Sequence, residues 1–346
     1  MGQVKIPYGE KKLSLEIPDK NLAVLFDPPF PPPIRDLSGE ILRVLDEPVA
    51  GSKFSSQIGK GKKALILIDN FARLTPAAHI LPPILKKLKR TGAKVEILVA
   101  SGALREMNEA ELKRKLGRKI LEGGIPVSQS RCKDSWDFEF IGTTTLGTPV
   151  NVHRKLLQAD FSLAVTMTQA TLWGYGGGGS MVLPGVCSYE TIEWNHRLTT
   201  GPYSGLGYQP PRNIMRQDIE EAAAMSGLSM SLLVVLNPNL EVIEVTAGET
   251  NAACRASVAK YDRYYTLDRR SLPGVGLDIA VSGSFAGDRF FAHSCWPAAN
   301  LDFFTKDGGT IIIATPAPGG LAHYAYAKDY MPPDRDAFRR LYEDIF

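Results

Sequence analysis

The stretch KALILIDNFARLTPAAHILPPILKKLKRTGAKVEILVAS, residues 63–101, decides the fold. Its ends, KALILID and KVEILVAS, are short apolar runs that predict strands buried in a sheet. Between them PAAHILPPILKKLKRTG predicts a helix, which Pro82 and Pro83 would kink or break.

The alternation of strand and helix continues on either side. NEAELKRKLGRKILEG predicts a second amphipathic helix with Asn108 as its N-cap. FEFIG and FSLAVTMT predict strands, RQDIEEAAAMSG a helix, and MSLLVVLNPNLEVIEVTAG two strands about a Pro-Asn turn. Upstream, VKIPYGEKKLSLEIP reads as a hairpin with Gly9 near its turn, and LFDPPFPPPI (Leu25–Ile34) as a proline-rich connector. This order predicts an α/β fold whose large N-terminal domain has three layers and a mostly parallel sheet. The texture changes at LDRRSLPGVG (Leu267–Gly276), which reads as a hinge. A strand LDIAVSGS, a helix near Phe290–Phe304 and a strand GGTIIIATP then predict a smaller C-terminal α/β domain. The expected division is 1–268 and 269–346.

With 346 residues, 44% hydrophobic and 22% charged, the chain is long enough for such a core. A net charge of +3 is too mild to call for nucleic acid or an anionic membrane. No apolar run approaches the ~20 residues that span a bilayer. Cys132, Cys187, Cys254 and Cys295 form no CxxC pair, so reduced, structural thiols of a cytoplasmic protein are expected. The opening MGQVKIPYGEKKLSLEIPD has no apolar signal-peptide core, which fits that location. Association into a homo-oligomer stays open.

Ligands of open α/β sheets bind at the loops that follow strands, and three loops qualify. In IDNFARLTP, Asp69, Asn70 and Arg73 follow a buried strand, and Arg73 is a candidate clamp for a carboxylate or phosphate. In ASGALRE, Gly102 suits a tight turn and no group transfers a proton, so this loop reads as structural despite Arg105. The third loop is WGYGGGGSMVLPG, Trp173–Gly185. Gly174, Gly176, Gly177, Gly178 and Gly179, interleaved and followed by Tyr175 and Ser180, are free to take positive φ. Either the loop is a nest of N–H groups for an anion, or other parts of the protein pack closely on its backbone. It lacks the lysine of a Walker A loop and the long following helix of a dinucleotide fingerprint. His196 in YETIEWNHRL is a candidate base, metal ligand or core histidine, whereas His153 reads as structural. His293 sits near Trp296 in the smaller domain.

Together these pieces resemble the nickel-dependent lactate racemase family over nearly the whole chain. IPYGEKKLSLEIPDKN resembles its opening hairpin and IDNFARLTPAAHILPPIL its aspartate-x-Thr-Arg-Pro loop. ASGALREMNEAELKRKLG is similar to its Gly-Thr-His-Arg loop and helix, and GYGGGGSMVLPGVCSYETIEWNH to its glycine-rich loop, Pro-Gly turn and Asn-His. RNIMRQDIEEAA, VTAGETNAACRASV and KDGGTIIIATP follow the same pattern.

The resemblance implies two α/β domains facing each other across a cleft. It implies a nickel pincer nucleotide, held covalently by a lysine of the glycine-rich loop, that takes a hydride from a hydroxy acid and returns it to either face. It further implies two histidines that exchange the hydroxyl proton, cations that hold the carboxylate, and a histidine on nickel. By the same resemblance the anchoring lysine falls at Ser180 and the two histidines at Leu104 and Ala170. The loop aspartate falls at Asn70, beside Asp69, and a substrate-contacting glutamine–lysine pair at His293 and Trp296. Arg73, the glycines, Asp288 and His196 at the metal-ligand position are kept.

The expectation is therefore a divergent relative, an isomerase of altered chemistry without a covalently attached cofactor. Its ligand, a hydroxy acid or nucleotide, would meet Arg73 and the glycine loop, with His196 and His293 approaching from the two domains and Trp296 offering a stacking face. The alternative is a non-catalytic ligand sensor or complex subunit. A third reading is a metal site of His196, His293 and Asp288 or Asp69.

Overall fold

The computed structural model describes residues 2–201, 203–205, 207–267, 276–284, 287–294, 296–318 and 320. It opens with an antiparallel hairpin, β1 (Gly2–Tyr8) and β2 (Lys11–Ile17), whose turn uses Gly9 at a φ of 60°. The proline-rich connector has no regular structure, and Leu25, Phe26 and Phe30 on it are exposed. Helices α1 (Leu37–Asp46) and α2 (Phe54–Gln57) lead into the β-α-β unit of β3 (Lys63–Asp69), α3 (Ala77–Arg90) and β4 (Lys94–Ala100). Helix α3 runs through Pro82 and Pro83 without breaking. Its buried stripe of Ile80, Leu81, Ile84, Leu85 and Leu88 outweighs the hydrogen bonds that the prolines cannot make.

The expected second helix is two, α4 (Glu109–Leu116) and α5 (Arg118–Leu121). Gly117, at a φ of 78°, ends the first, while Asn108 and Glu111 close its N-terminus with a capping box. Next come β5 (Val127–Gln129), β6 (Phe138–Thr143), β7 (Pro149–His153), α6 (Arg154–Leu157) and β8 (Phe161–Met167). A short ribbon of β9 (Gln169–Thr171) and β10 (Gly174–Gly176) precedes α7 (Tyr189–Arg197) and α8 (Ile214–Met225). Strands β11 (Met230–Leu236) and β12 (Val242–Gly248) and helix α9 (Thr250–Tyr265) follow.

The central sheet runs β12-β11-β8-β3-β4-β5, parallel throughout except for β12. Side chains of β3 alternate between two cores. Ala64, Ile66 and Ile68 enter one, Leu65 and Leu67 the other. Burial on both faces makes the sheet the middle of three layers, as the continuous apolar runs require. The strand at Phe138 stands apart from this sheet and pairs with β7 as a separate antiparallel ribbon.

Beyond residue 276, β13 (Leu277–Gly283), short helices α10 (Phe291–Ser294) and α11 (Trp296–Asp302), and β14 (Thr305–Ala314) build a second small unit whose strands are parallel. The fold is thus two-domain α/β. The expected boundary at 268/269, most of the hinge and Cys295 lie outside the described residues. The opening hairpin packs against this small unit: a Cβ on Gly283 would stand 2.0 Å from the Pro7 carbonyl oxygen. No helix among the described residues is long and apolar enough to cross a membrane.

Candidate functional site

A groove of about 2730 Å³ runs between the carboxyl ends of the central strands, the hairpin and the β13–β14 unit. That is several times the roughly 300–1,000 Å³ of a small-ligand site, so side chains have to locate the site within it.

Asp69 ends β3, buried, and its carboxylate is committed. It accepts from Thr166 Oγ1 at 2.7 Å and from Thr75 Oγ1, and it pairs with the buried ammonium of Lys115. Lys115 reaches on to the Arg73 carbonyl at 2.9 Å. Burial pulls the Lys115 ammonium below its ordinary range, and Asp69 opposes that pull. Asn70 orders the same loop, its Oδ1 accepting from the Ala72 N–H at 2.9 Å while its Nδ2 donates to the Ser101 carbonyl at 3.2 Å. These two residues hold the loop rather than face the groove. Arg73 does face it: the guanidinium lies 5.3 Å over the Trp296 ring, and its Nε is 4.0 Å from where a Cβ on Gly176 would stand.

Most of the glycine run answers to packing by the protein itself. At Gly177, φ 98°, a Cβ would meet the Met167 carbonyl oxygen and Leu233 at 2.9 Å. At Gly178, φ 53°, it would meet Cys254 Cβ on α9 at 2.7 Å. Gly179 is pressed by Ile219 and Ala223 of α8 at 3.2 Å. Gly176 is the exception, with no atom nearer than 3.4 Å and its flank turned to Arg73. The helical turn after the glycines, Gly178–Met181, is a single 3-10 turn. Tyr175 donates to Asp262 Oδ1 at 2.7 Å, and burial together with that bond raises its phenol pKa.

Ser180 Oγ accepts from Arg216 Nη1 at 2.6 Å. Arg216, on α8, also donates to the Trp173 carbonyl at 2.8 Å and to Thr171 Oγ1 at 3.1 Å. All three acceptors are neutral. Burial pulls the Arg216 pKa down to about 10; Cys254 and Glu220 oppose this, and the charge of Arg73 adds to it. Two guanidinium groups thus flank the β9–β10 ribbon. Sequence reading missed Arg216, because it lies on a helix and not in a loop that follows a strand. In the fold Asp218 serves Thr144, Thr148 and Asn195, and Glu220 pairs with Arg255.

His196 stands apart from the groove. Its Nδ1 donates to the Ile192 carbonyl at 2.9 Å, one turn back in α7, and its ring meets Trp173 edge-on at 5.2 Å. Burial lowers its pKa to about 4, so it is a neutral imidazole whose Nε2 keeps a lone pair. Among the described residues no three His, Cys, Asp or Glu side chains gather in a way that could hold a metal ion, so the set of His196, His293 and Asp288 or Asp69 does not assemble.

From the small unit, His293 is buried against Trp296 with ring centres 4.7 Å apart, and so it joins the Arg73–Trp296 stack. Asp288 accepts from the Gly9 N–H at 2.8 Å and ties the hairpin turn down. Its neighbour Arg289 pairs with Glu111, which also takes both Arg105 nitrogens at 2.8 and 2.9 Å. Arg105 holds the Glu111 carboxyl down at about 2, with Arg289 adding to the effect. Both arginines stack on Phe71, at 4.6 and 5.2 Å, so this cluster clamps the small unit to α4. The structure thus brings together Arg73, Gly176, His293 and Trp296, with Arg216 and Ser180 on the other side of the ribbon.

A family model described as "Lactate racemase N-terminal domain" matches residues 8–207. A lactate racemase of Thermoanaerobacterium thermosaccharolyticum is 27% identical over 345 positions, 96% of this chain and 79% of that protein. A lactate racemase of Lactiplantibacillus plantarum is 26% identical over 330 positions, 92% of this chain and 76% of that protein. Among solved structures, the apoprotein of the T. thermosaccharolyticum lactate racemase superposes with a TM-score of 0.84 at 23% identity, covering 99% of this chain and 81% of that one. A Thermotoga maritima protein superposes at 0.60 and 21% identity, covering 73% and 64%. At these identities the structural likeness is one of fold.

Proposed function

This chain belongs to the lactate racemase family, and from that premise we propose that it binds a small anionic ligand, a hydroxy acid or nucleotide-like molecule, between its domains, without a covalently attached nickel nucleotide. The proposed division is 1–268 and 269–346, and the proposed location is the cytoplasm. The observation that carries the reading is the pair of arginines at the ribbon. Among the described residues the hydrogen bonds of Arg216 go to neutral oxygens, and Arg73 stands at the groove side of the same ribbon. An anion in the groove beside Arg73 gains charge-assisted hydrogen bonds.

The covalent cofactor does not fit the residues present. Ser180 offers a neutral hydroxyl, already held by Arg216, where the family resemblance calls for an amine that forms an amide-type link. Leu104 and Ala170 hold no transferable proton. No step is therefore routed through that cofactor. Arg73 binds and orients the ligand, Arg216 adds its charge from the other side of the ribbon, Trp296 covers the ligand, and His293 packs on Trp296. The placement of His196, tied to its own helix, favours the alternative of a non-catalytic sensor or complex subunit if no turnover is found.

Arg73→Gln tests the reading. Calorimetric titration of the wild type with lactate and with inorganic phosphate is expected to give saturable binding of at least one of them. The variant is expected to bind about 10–100-fold more weakly, the worth of a hydrogen bond to a charged group. Equal affinities in the two proteins would remove the ribbon as the anion site.

A further inference from the structure

Three consecutive residues tie the small unit to the rest of the chain. Asp288 accepts from the Gly9 N–H of the hairpin turn, Arg289 pairs with Glu111 on α4, and the Phe290 ring lies 5.7 Å from that of Phe71. Among the described residues of the small unit, Phe290 alone is buried in the core of the large domain. The elements of the small unit pack instead on one another, and β13 packs on β1. A Cβ on Gly9 would stand 3.3 Å from Pro316, so the hairpin and the small unit hold together as one body. Arg289 and Phe290 join that body to the large domain, and Trp296 meets Arg73 beyond them.

Glu111 serves two arginines at once. Its side chain is 6% exposed, and its two oxygens take both Arg105 nitrogens while one of them also takes Arg289. Arg105 satisfies the carboxylate by itself, with two hydrogen bonds from within the large domain. Arg289, whose side chain is 36% exposed, can therefore withdraw without stranding a buried charge. Its withdrawal would uncover Phe71 and free the wall of the groove that β13 and β14 supply. We propose that the Arg289–Glu111 pair is a releasable latch that holds the small unit shut over the groove, with Arg105 as the fixed partner that keeps Glu111 satisfied when the latch opens. A partly exposed ion pair is weakened by screening, so salt is the condition that loosens it. The inference does not depend on what the groove binds.

Trp296 reports the docking, because it lies between His293 of its own unit and Arg73 of the large domain. The test is fluorine NMR of the whole chain labelled with 5-fluorotryptophan, the Trp296 signal being assigned with Trp296→Phe. Trp136, Trp173 and Trp194 of the large domain are internal controls. Arg289→Met is expected to raise the population of an undocked Trp296 signal about ten-fold, the worth of a hydrogen bond between charged groups, and to leave the other three in place. Arg118→Met, which breaks an exposed pair with Glu122, is expected to change none of the four. Raising NaCl to about 1 M is expected to increase the undocked signal several-fold in the wild type and by less than about two-fold in Arg289→Met. A Trp296 signal in Arg289→Met with the wild-type position and population overturns the latch. So does a joint shift of all four tryptophans, which would mean that Arg289 supports the whole fold.

Discussion

Incubated with D-lactate or L-lactate, the purified protein is expected to leave optical rotation where a no-protein control leaves it. Racemisation at a hydroxyl-bearing carbon needs the hydroxyl proton removed and restored from either face. A positioned acid or base contributes about 10²–10⁴-fold to such a step. Leu104 and Ala170, which stand where the family resemblance calls for histidines, contribute nothing of the kind. His196 is no substitute, because its Nδ1 is spent on the Ile192 carbonyl and it lies off the groove. His293 is a single group on a single side. Racemisation clearly above the control would show that other groups do this work and that the proposed divergence is wrong.

Lys115→Met is expected to destabilise the protein by about 3–5 kcal/mol, the usual cost of leaving one member of a buried ion pair alone. The Asp69 carboxylate would keep its two threonine donors but lose the ammonium that neutralises it. The Arg73 carbonyl would lose its donor as well, loosening the loop that aims the guanidinium. Adding Asp69→Asn in the double variant is expected to recover part of the loss, since no charge is then left buried. Urea denaturation of the three proteins measures both effects. A single variant within about 0.5 kcal/mol of wild type, the range of ordinary surface changes, would mean that the pair carries no weight.

The central unit was legible because a strand buried on both faces leaves a continuous apolar run, and KALILID and FSLAVTMT are such runs. The split at Gly117 was not, because the amphipathic spacing continues through it and only the positive φ reveals the break. The strand at Phe138 was legible, but its separation from the main sheet was not: alternation shows that a segment is extended without naming its partner. At the site, Arg73 was legible from its place after a strand. The commitment of Asp69 to Lys115 was not, since the two lie 46 residues apart. Asp288 drew attention as a candidate ligand contact, and its partner is the Gly9 amide, 279 residues away. The glycines pointed correctly to close approach. Whether a ligand or a helix approaches is a tertiary fact, and at Gly177, Gly178 and Gly179 the protein's own Leu233, Cys254, Ile219 and Ala223 do so.

The claim that the groove binds an anion without the covalent nickel nucleotide is tested most directly by mass. The purified protein, weighed under native and then denaturing conditions with its nickel content measured, is expected to carry a small anionic molecule only in the native state. The denatured chain is expected at its sequence mass, without stoichiometric nickel. A mass increment that survives denaturation, maps to Ser180 and comes with one nickel per chain would contradict the account.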